Sequence, residues 1–554
     1  MSKLRSAVVI CAAALLAGPA SATELALIVP ADIHAPRTDG ADPRAGAADL
    51  TGQAAALRRA LEAAEARGGL AASALAGLRA AYEARAYEPL WVSDGRATPQ
   101  MRALRRRMDF AGELGLDPAS YITPDFAESY PDDPALRAAA DVAFSRAVTL
   151  YVTHLSSGRI RPADVSRIIT LEPERADIEE ALSSLSRTAG LALALSRYEP
   201  AHPEYRALKT ALAELRAAAA VPQPALIPDG VSLKPGGTDT RIALLRERLA
   251  VAPVSGQAAD RYDAALVAAV QAFQTAHGLT ADGILGPRTL LALNGVSREA
   301  DMAAITANLE RWRWMPRDLG AVHIRVNVPE FTVRVVDAGT LVHETRVVVG
   351  APKHPTPTFS HVMDHLVVNP YWNVPTSILS NEMMPEIRRN PAGYFAKRGY
   401  QVLARSGGKM QVVDPNRIDW GMINPRSVRI RQVPGDENAL GRIKFMFPNQ
   451  HSVYLHDTPS KALFRKDYRA YSHGCVRVDE PLAFADALLA RALPDWNAEK
   501  LEKLYGGPER RINLDTPIPV HLSYFTRAVD ASGDLRRFED VYGYDATMMA
   551  LAGF

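Results

Sequence analysis

Cysteine is nearly absent from this sequence, which has two among 554 residues, Cys11 and Cys475. Cys11 lies within residues 1–22, where a positively charged start, a short apolar run and Ala20-Ser21-Ala22 follow one another. This order is typical of a secretory signal peptide, the alternative being an uncleaved membrane anchor. Cleavage would leave Cys475 as the one thiol of an exported chain. A lone cysteine is inert, intermolecular or reactive.

Long apolar segments and an excess of charge are missing as well. Beyond residue 22 no stretch is long and apolar enough to span a bilayer, so we expect no transmembrane anchor after signal cleavage. The 64 Lys and Arg residues nearly balance the 62 Asp and Glu residues, which gives no argument for a nucleic-acid partner. A chain of 554 residues exceeds what one hydrophobic core serves, and we expect two to four domains.

Changes in composition and hydrophobic period divide the chain. An Ala- and Leu-rich block with apolar residues at helical spacing predicts helices. A Pro- and Gly-rich stretch after it predicts a linker, and a later alternation of apolar and polar residues predicts strands. The expected segments are a mobile leader (23–50), a helical domain (51–220), a linker (221–239), a three-helix module (240–295), a β-rich domain (309–525) and a C-terminal tail (526–554). Helix-forming residues at 376–421 indicate a helical insertion, which we expect to act as a lid. The predicted fold class is multidomain α+β.

Two nearby segments carry the residue types needed for acyl transfer, namely a nucleophile, a base and oxyanion donors. Cys475 is the nucleophile candidate, and a neighbouring imidazole could leave it as a thiolate beside an imidazolium. His456 and His473 compete for the role of base, and spacing alone does not choose between them. Gly474 permits close backbone approach, so its N–H and that of Cys475 could face the oxyanion. Tyr454 would share a strand face with His456.

Two rival sites are weaker. Ser406-Gly407-Gly408-Lys409 matches the Ser-x-x-Lys of serine acyltransferases, but that motif needs a helix start, and Gly-Gly favours a turn. A zinc site could use His451, His456 and His473, but the spacing of the first two is poor for a shared helix face, and no His-Glu-x-x-His occurs. We therefore expect no metal or organic cofactor.

The two segments resemble the catalytic signature of the YkuD-type L,D-transpeptidases, which are cell-wall enzymes. The signature residues are His456-Asp457-Thr458 and Ser472-His473-Gly474-Cys475-Val476-Arg477. Further agreement lies at Pro355-Thr356-Pro357, at residues 369–375, and at Pro434-Gly435 with residues 438–441. The resemblance extends over roughly residues 309–493.

Two other segments resemble the companions of such catalytic domains. Residues 240–295 are similar to a peptidoglycan-binding module, with Val270, Phe273-Gln274, Gly278-Leu279, Asp282-Gly283 and a Gly286-x-x-Thr289 helix start. The helical block resembles, more weakly, the scaffold domain of the large Gram-negative members through Gly115-Leu116-Asp117-Pro118 and Tyr121. A long insertion in the catalytic domain also fits that subgroup.

The resemblance implies roles for the candidate residues. Cys475 would be the nucleophile and His456 the base, oriented by the backbone carbonyl of Asp457. His473 and Gly474 would shape the oxyanion site.

Arg477 would hold a carboxylate of the substrate through its guanidinium fork, unless it forms a structural salt bridge instead.

The resemblance also implies a reaction and its partners. Cys475 would attack the bond between diaminopimelate and the terminal D-Ala of a tetrapeptide donor stem, and an acceptor stem would resolve the thioester. Carbapenem β-lactams would be covalent inhibitors, and the expected location is the periplasm of a Gram-negative envelope. Two alternatives remain: a carboxypeptidase or amidase, in which water resolves the thioester, and a non-catalytic wall-binding scaffold, which the intact Cys475 and His456 disfavour.

Overall fold

The computed structural model describes residues 43–552 except 122–128, 219–224, 257, 278, 296 and 407. The chain divides into a unit of residues 1–51 and a compact unit of residues 52–554. The expected signal peptide lies outside the described residues. Of the expected leader, only the part from Pro43 is described, and it begins a helix rather than an irregular segment. Within the described ranges, no helix has both the length and the apolarity needed to cross a membrane.

Helices and strands follow one another in blocks along the chain. The helices are α1 (Pro43–Ala66), α2 (Ala72–Glu83), α3 (Pro99–Asp109), α4 (Pro134–Ser157), α5 (Pro162–Val165), α6 (Ile178–Leu185), α7 (Leu191–Ser196), α8 (Pro203–Ala217), α9 (Ile242–Leu249), α10 (Ala264–Ala276), α11 (Pro287–Asn294), α12 (Arg298–Trp314), α13 (Thr376–Ile378), α14 (Met384–Arg389), α15 (Pro391–Lys397), α16 (Pro481–Ala492), α17 (Ala498–Glu502) and α18 (Tyr544–Ala552).

The strands are β1 (Val92–Ser93), β2 (Arg96–Ala97), β3 (Val322–Asn327), β4 (Thr332–Asp337), β5 (Thr340–Gly350), β6 (Phe359–Val368), β7 (Trp372–Asn373), β8 (Tyr400–Ser406), β9 (Lys409–Val413), β10 (Arg429–Gln432), β11 (Ile443–Met446), β12 (Leu455–His456), β13 (Ala470–Ser472), β14 (Val476–Val478), β15 (Arg510–Ser523), β16 (Arg527–Val529) and β17 (Leu535–Arg537). Their distribution confirms the predicted α+β class.

The helical block has its own core around α4, which is buried along most of its length. The side chain of Asp133 caps the start of α4 by accepting from the N–H groups of Ala135 and Leu136. Deeper in the same helix, the buried carboxylate of Asp141 accepts from the N–H groups of Leu90, Trp91 and Val92. A polar group inside the core therefore fixes the loop that leads into the small β1–β2 hairpin, because an unpaired buried carboxylate would be costly.

The three-helix module begins earlier than its sequence suggested. Ile227 and Leu233, inside the expected linker, are buried in the core of α9, α10 and α11. The Gln274 side chain explains the glycine motifs that follow it, since it donates to the Asp282 carboxylate and to Thr289 while accepting from the Gly283 N–H. One buried amide thus ties the turn after α10 to the start of α11.

The β-rich domain is a closed barrel. Hydrogen bonding links the strands in the order β13-β5-β14-β12-β11-β6-β15-β3-β4, and β4 also pairs with β5. The ring therefore closes through eight strands, with β13 attached outside it. Alternate residues of every strand, such as Val333, Val347, Leu366, Phe445 and Val520, point into one apolar core. Closure leaves few free strand edges, and β12 and β14 come together as a parallel pair.

The expected lid insertion is larger than residues 376–421 and is not only helical. Residues 372–432, here called the insertion, contain helices α13 to α15 and a four-stranded sheet in the order β7-β10-β8-β9. Their separate core includes Met384, Phe395 and Trp420. Ser406 ends β8 and pairs with Lys409 at the start of β9, so both residues of the Ser-x-x-Lys motif belong to strands and not to the helix start that a serine nucleophile requires.

Helix α12 and the last residues of the chain correct two further boundaries. The helix begins before residue 309, where the β-rich domain was expected to start. Its Asp301 and Arg311 are nevertheless buried and paired with Arg527 and Asp545 at 2.9 and 2.5 Å. The expected tail, residues 526–554, forms the β16–β17 hairpin and α18 and packs into the barrel core through Tyr544 and Met548. Composition did not reveal that these segments are buried, because charged helices are usually solvated. The charges of α12 are buried here only because each is paired with an opposite charge.

Candidate active site

Polar side chains line up on one face of three neighbouring strands. In the parallel β12–β14 pair His456 lies opposite Arg477, and in the antiparallel β11–β12 pair it lies opposite Lys444. Residues two apart along a strand share its face, which adds Tyr454 and Cys475 to the same group. The Tyr454 ring packs edge-on against the His456 ring, with 5.7 Å between their centroids. The intervening residues of both strands are apolar and buried, so core packing sets the direction of the polar ones.

His456 is buried, with 4% of its surface exposed. Its Nδ1 lies 2.5 Å from the carbonyl oxygen of Asp457. Because a carbonyl only accepts, Nδ1 carries the proton and Nε2 keeps a free lone pair. Burial, reinforced by the charges of Arg477 and Lys444, lowers the pKa of His456 to about 3. The imidazole is therefore neutral at physiological pH and able to accept a proton.

The carboxylate of Asp457 holds the surrounding turn. One oxygen accepts from the Arg442 N–H at 2.8 Å, and the other accepts from the Thr458 N–H at 2.7 Å and from the Lys461 ammonium at 2.6 Å. A Cβ at Gly441 would collide with this carboxylate. The side chain of Asp457 thus fixes the loop, while its backbone carbonyl orients His456.

Cys475 follows a tight turn between β13 and β14. The Ser472 hydroxyl donates to the Cys475 carbonyl at 2.5 Å, and the Gly474 N–H donates to the Ser472 hydroxyl at 3.2 Å. Gly474 has a φ of 110°, in the region that favours glycine. Its N–H is turned towards Ser472, so it does not face the nucleophile side as the sequence suggested.

The charge state of the nucleophile differs from the expected thiolate–imidazolium pair. Burial raises the pKa of the Cys475 thiol, and the hydrogen bonds from Tyr454 and the charges of Arg477 and Lys444 oppose this only in part. The pKa of His456 moves in the opposite direction. Both charged forms lose hydration in the same cavity, which favours a neutral thiol and a neutral imidazole in the free protein.

His473 faces the insertion rather than the nucleophile strand. Its Nε2 lies 2.6 Å from a carboxylate oxygen of Glu382, and its ring stacks on His354 with 4.9 Å between centroids. The ring is more exposed than that of His456, with 36% of its side-chain surface accessible. Of the two competing histidines, the structure therefore gives only His456 a buried position on the strand beside Cys475.

A cavity of about 330 Å³ between the barrel and the insertion is lined by five residues of the signature, namely His456, Ser472, His473, Cys475 and Arg477. The barrel contributes Tyr454, His456, Cys475 and Arg477, and the insertion contributes residues that include Ser377, Asn381 and Glu382. The sequence did not single out Lys444, Glu382 or His354 as site residues. Lys444 could have been found from its place in the alternating Ile443–Met446 strand, whereas the other two reach the cavity only through tertiary contacts.

The zinc site considered from sequence is not formed. His451 Nε2 lies 2.8 Å from the Thr170 hydroxyl, His456 Nδ1 binds a backbone carbonyl, and His473 binds Glu382. Three histidines with three separate partners do not present a common set of ligand atoms.

Residues 321–511 match the family model of the L,D-transpeptidase catalytic domain. The chain carries an L,D-transpeptidase catalytic domain. Two further models match the flanking parts, a scaffold domain at residues 76–212 and a peptidoglycan-binding domain at residues 238–293. The module that was predicted from its Gln274 motif thus matches the peptidoglycan-binding model, and the helical block matches the scaffold model.

A curated relative agrees with this L,D-transpeptidase assignment. A Haemophilus influenzae protein, named as a candidate L,D-transpeptidase, is 34% identical over 257 residues, which are 45% of this chain. The match spans 50% of that relative, so this chain corresponds to about half of its length.

Solved structures of proteins named L,D-transpeptidases also match, but their structural similarity to this chain, measured by the TM-score, is low. An L,D-transpeptidase (residues 123–326) from Xylanimonas cellulosilytica has 16% identity, covers 53% of this chain and 98% of that chain, and superimposes with a TM-score of 0.15. An L,D-transpeptidase from Mycobacterium smegmatis has 13% identity, covers 37% and 58% of the two chains, and gives a TM-score of 0.17. At these TM-scores the superpositions carry no argument.

Proposed function

We propose that this protein cross-links peptidoglycan stems by L,D-transpeptidation, with Cys475 as the nucleophile. The observation that carries the proposal is the buried His456, whose Nδ1 is bound to a backbone carbonyl and whose Nε2 is left free in a cavity shared with the only thiol of the described residues. A buried neutral imidazole beside a thiol suits general-base catalysis, in which the proton moves as the substrate reacts.

The reaction follows two acyl-transfer steps. His456 Nε2 takes the proton of Cys475 as Sγ attacks the carbonyl carbon between diaminopimelate and the terminal D-Ala of a tetrapeptide stem. When the tetrahedral intermediate collapses, His456 returns that proton to the leaving D-Ala amine, and a thioester remains. An acceptor amine then attacks the thioester carbonyl and gives its proton to His456. The new amide bond forms as the C–S bond breaks, and His456 returns the proton to the sulfur of Cys475.

The oxyanion of each intermediate needs donors that are already in place. Tyr454 lines the same cavity as Cys475, so we assign the oxyanion to the Tyr454 hydroxyl and the backbone N–H of Cys475. Gly474 serves through its backbone conformation, because its own N–H is bound to Ser472. This assignment replaces the one made from sequence.

Arg477 and Lys444 are suited to the carboxylates of the donor stem. Neither makes an ion pair with another described residue, and the buried Nε of Arg477 has no hydrogen-bond partner within the described ranges. Burial lowers the pKa of the Lys444 ammonium, with no carboxylate in contact to offset it fully. An unpaired guanidinium that lines a cavity favours binding a substrate carboxylate over the structural salt bridge considered from sequence.

The remaining domains fit action on a polymer. The peptidoglycan-binding module would hold the catalytic domain on the wall and raise the local concentration of stems. We place the mature protein in the periplasm, after removal of residues 1–22, because its substrate lies outside the cytoplasm.

Mass spectrometry of products from purified tetrapeptide muropeptides tests the proposal. We expect a dimer whose mass is that of donor plus acceptor minus D-Ala, and none with Cys475→Ser. We also expect a carbapenem adduct on the peptide that contains Cys475. Tripeptide without dimer would indicate the carboxypeptidase, and the absence of both product and adduct would indicate a wall-binding scaffold.

A further inference from the structure

The mouth of the active-site cavity gathers three metal-binding side chains. One ligand atom each from His354, Glu382 and His473 lies within 4.8 Å of the others, and no other such group of three or more occurs among the described residues. All three residues also line the cavity that contains Cys475. They differ from the histidine set that the sequence suggested, because only His473 belongs to both.

Two of the three ligands are held on a rigid support. His354 lies in the loop after β5, where a Cβ at Gly350 would collide with the His354 carbonyl. Thr356, in the same loop, accepts from the Gly350 N–H and donates to the Gly474 carbonyl, both at 2.8 Å. The loop of His354 is thereby bonded to the turn of His473, and the two imidazoles remain stacked with an interplanar angle of 28°.

The third ligand comes from the insertion. Glu382 lies in a π-helical turn, Leu379–Met383, between α13 and α14. Such turns are rare and often occur at functional sites. The buried neighbours Leu379 and Met383 anchor this turn in the core of the insertion, so the exposed Glu382 is presented towards the barrel.

We infer that His354, Glu382 and His473 form a binding site for a divalent transition ion such as Zn²⁺, and that the bound ion inhibits the reaction at Cys475. Two imidazoles and one carboxylate are a common zinc ligand set, while Ca²⁺ and Mg²⁺ prefer oxygen ligands. Bonds of about 2.0–2.2 Å require only small movements of side chains that are already this close. The His473–Glu382 hydrogen bond breaks on binding, any proton it holds is released to solvent, and a water completes the tetrahedron.

Inhibition follows from the position of the site and rests on the proposed function. The ion joins the insertion to the turn that carries Cys475, and it occupies the cavity mouth through which a stem must enter. It also replaces the direct hydrogen bond between His473 and Glu382. The ion therefore acts as a removable clamp and takes no part in the chemistry.

Zinc binding to the purified full-length mature protein, measured by equilibrium dialysis, tests the site without any activity. We expect one Zn²⁺ per chain, unchanged in Cys475→Ser and in the control His361→Gln, an exposed histidine of β6. His354→Gln and Glu382→Gln should each weaken binding at least about tenfold, since each removes one of three ligands. Loss of binding in Cys475→Ser with retention in His354→Gln would show that the thiol is the ligand and overturn the site.

The inhibitory effect is measured as the ratio of carbapenem acylation rates with and without saturating Zn²⁺, within each variant. We expect a drop of at least about tenfold in wild type, none with Mg²⁺, and little in Glu382→Gln. Stoichiometric binding that leaves this ratio at one would overturn the inhibitory role. If zinc binds as expected but no carbapenem reacts under any condition, the proposed function fails and the metal site stands.

Discussion

The hydroxyl of Tyr542 accepts a hydrogen bond from the backbone N–H of Thr356 at 3.0 Å. The same hydroxyl donates to the Gly350 carbonyl at 2.8 Å. Because Thr356 in turn bonds to the Gly474 carbonyl, a residue near the end of the chain supports the turn that carries Cys475. The segment that composition marked as a tail is therefore part of the active-site support.

Tyr542→Phe should slow acylation of Cys475 and destabilise the fold. The change leaves a part-buried N–H and a carbonyl without their partner, which costs about 1–3 kcal/mol. Urea unfolding and the rate of carbapenem acylation measure the two effects. Tyr471→Phe is the matched control, since Tyr471 is exposed and its hydroxyl makes no hydrogen bond with the described residues. Equal behaviour of the two variants would contradict the supporting role.

The Cys475 thiol should alkylate more slowly in the folded free protein than in the unfolded chain at neutral pH. Burial raises the pKa of the thiol, so its thiolate fraction at pH 7 falls below that of an ordinary cysteine. The iodoacetamide rate should rise with pH into the alkaline range, without an inflection near the usual histidine pKa, because His456 titrates at about 3. The same protein in guanidinium provides the reference thiol. A rate that is already high and flat through neutral pH would indicate the thiolate–imidazolium pair instead.

His456→Ala should nearly abolish acylation, by about 10²–10⁴-fold, because the variant loses both the base and the proton donor to the leaving amine. His473→Ala should reduce it less, since this ring contacts Glu382 and His354 and is not placed beside the thiol. Single-turnover acylation by a carbapenem measures both variants. The reverse order of effects would transfer the role of base to His473.

Arg477→Lys should raise the KM for a tetrapeptide donor by about tenfold or more and change kcat less. Lysine keeps the charge but loses the guanidinium fork that pairs with a carboxylate. The matched control is a donor whose diaminopimelate carboxylate is amidated. Wild type should bind this donor more weakly than the ordinary one, whereas Arg477→Lys should bind the two donors with nearly equal affinity. Additive losses would show that the two groups do not interact.

Removing the peptidoglycan-binding module should weaken activity on intact wall sacculi more than on soluble muropeptides. The deletion should run from residue 226 to 295, because Ile227 and Leu233 belong to the module core and would otherwise be left exposed. Linked binding raises the effective concentration of the polymer, by about tenfold or more, and leaves chemistry at Cys475 intact. Thermal unfolding must first show a folded variant. Equal losses on both substrates would make the module structural.

Local pattern was sufficient to determine much of this protein. Alternating residues after Trp314 indicated the β-rich domain, and the Val270 to Thr289 string indicated the module, because strand and helix periods and glycine turns depend on near neighbours. The family model confirms the catalytic domain that the His456 and Cys475 segments indicated. These features lie within short stretches of sequence, where side-chain order and backbone geometry are directly coupled.

Tertiary structure decided what depends on distant residues coming together. The barrel places Lys444 and Arg477 on either side of His456, and their charges with burial keep the imidazole neutral, a result that no spacing in the sequence contains. The contact of Glu382 with His473 and the support from Tyr542 span 91 and 186 residues of chain. Sequence alone determined which chemical groups are available. Their protonation and partners follow from burial and distance, which exist only once the chain has folded.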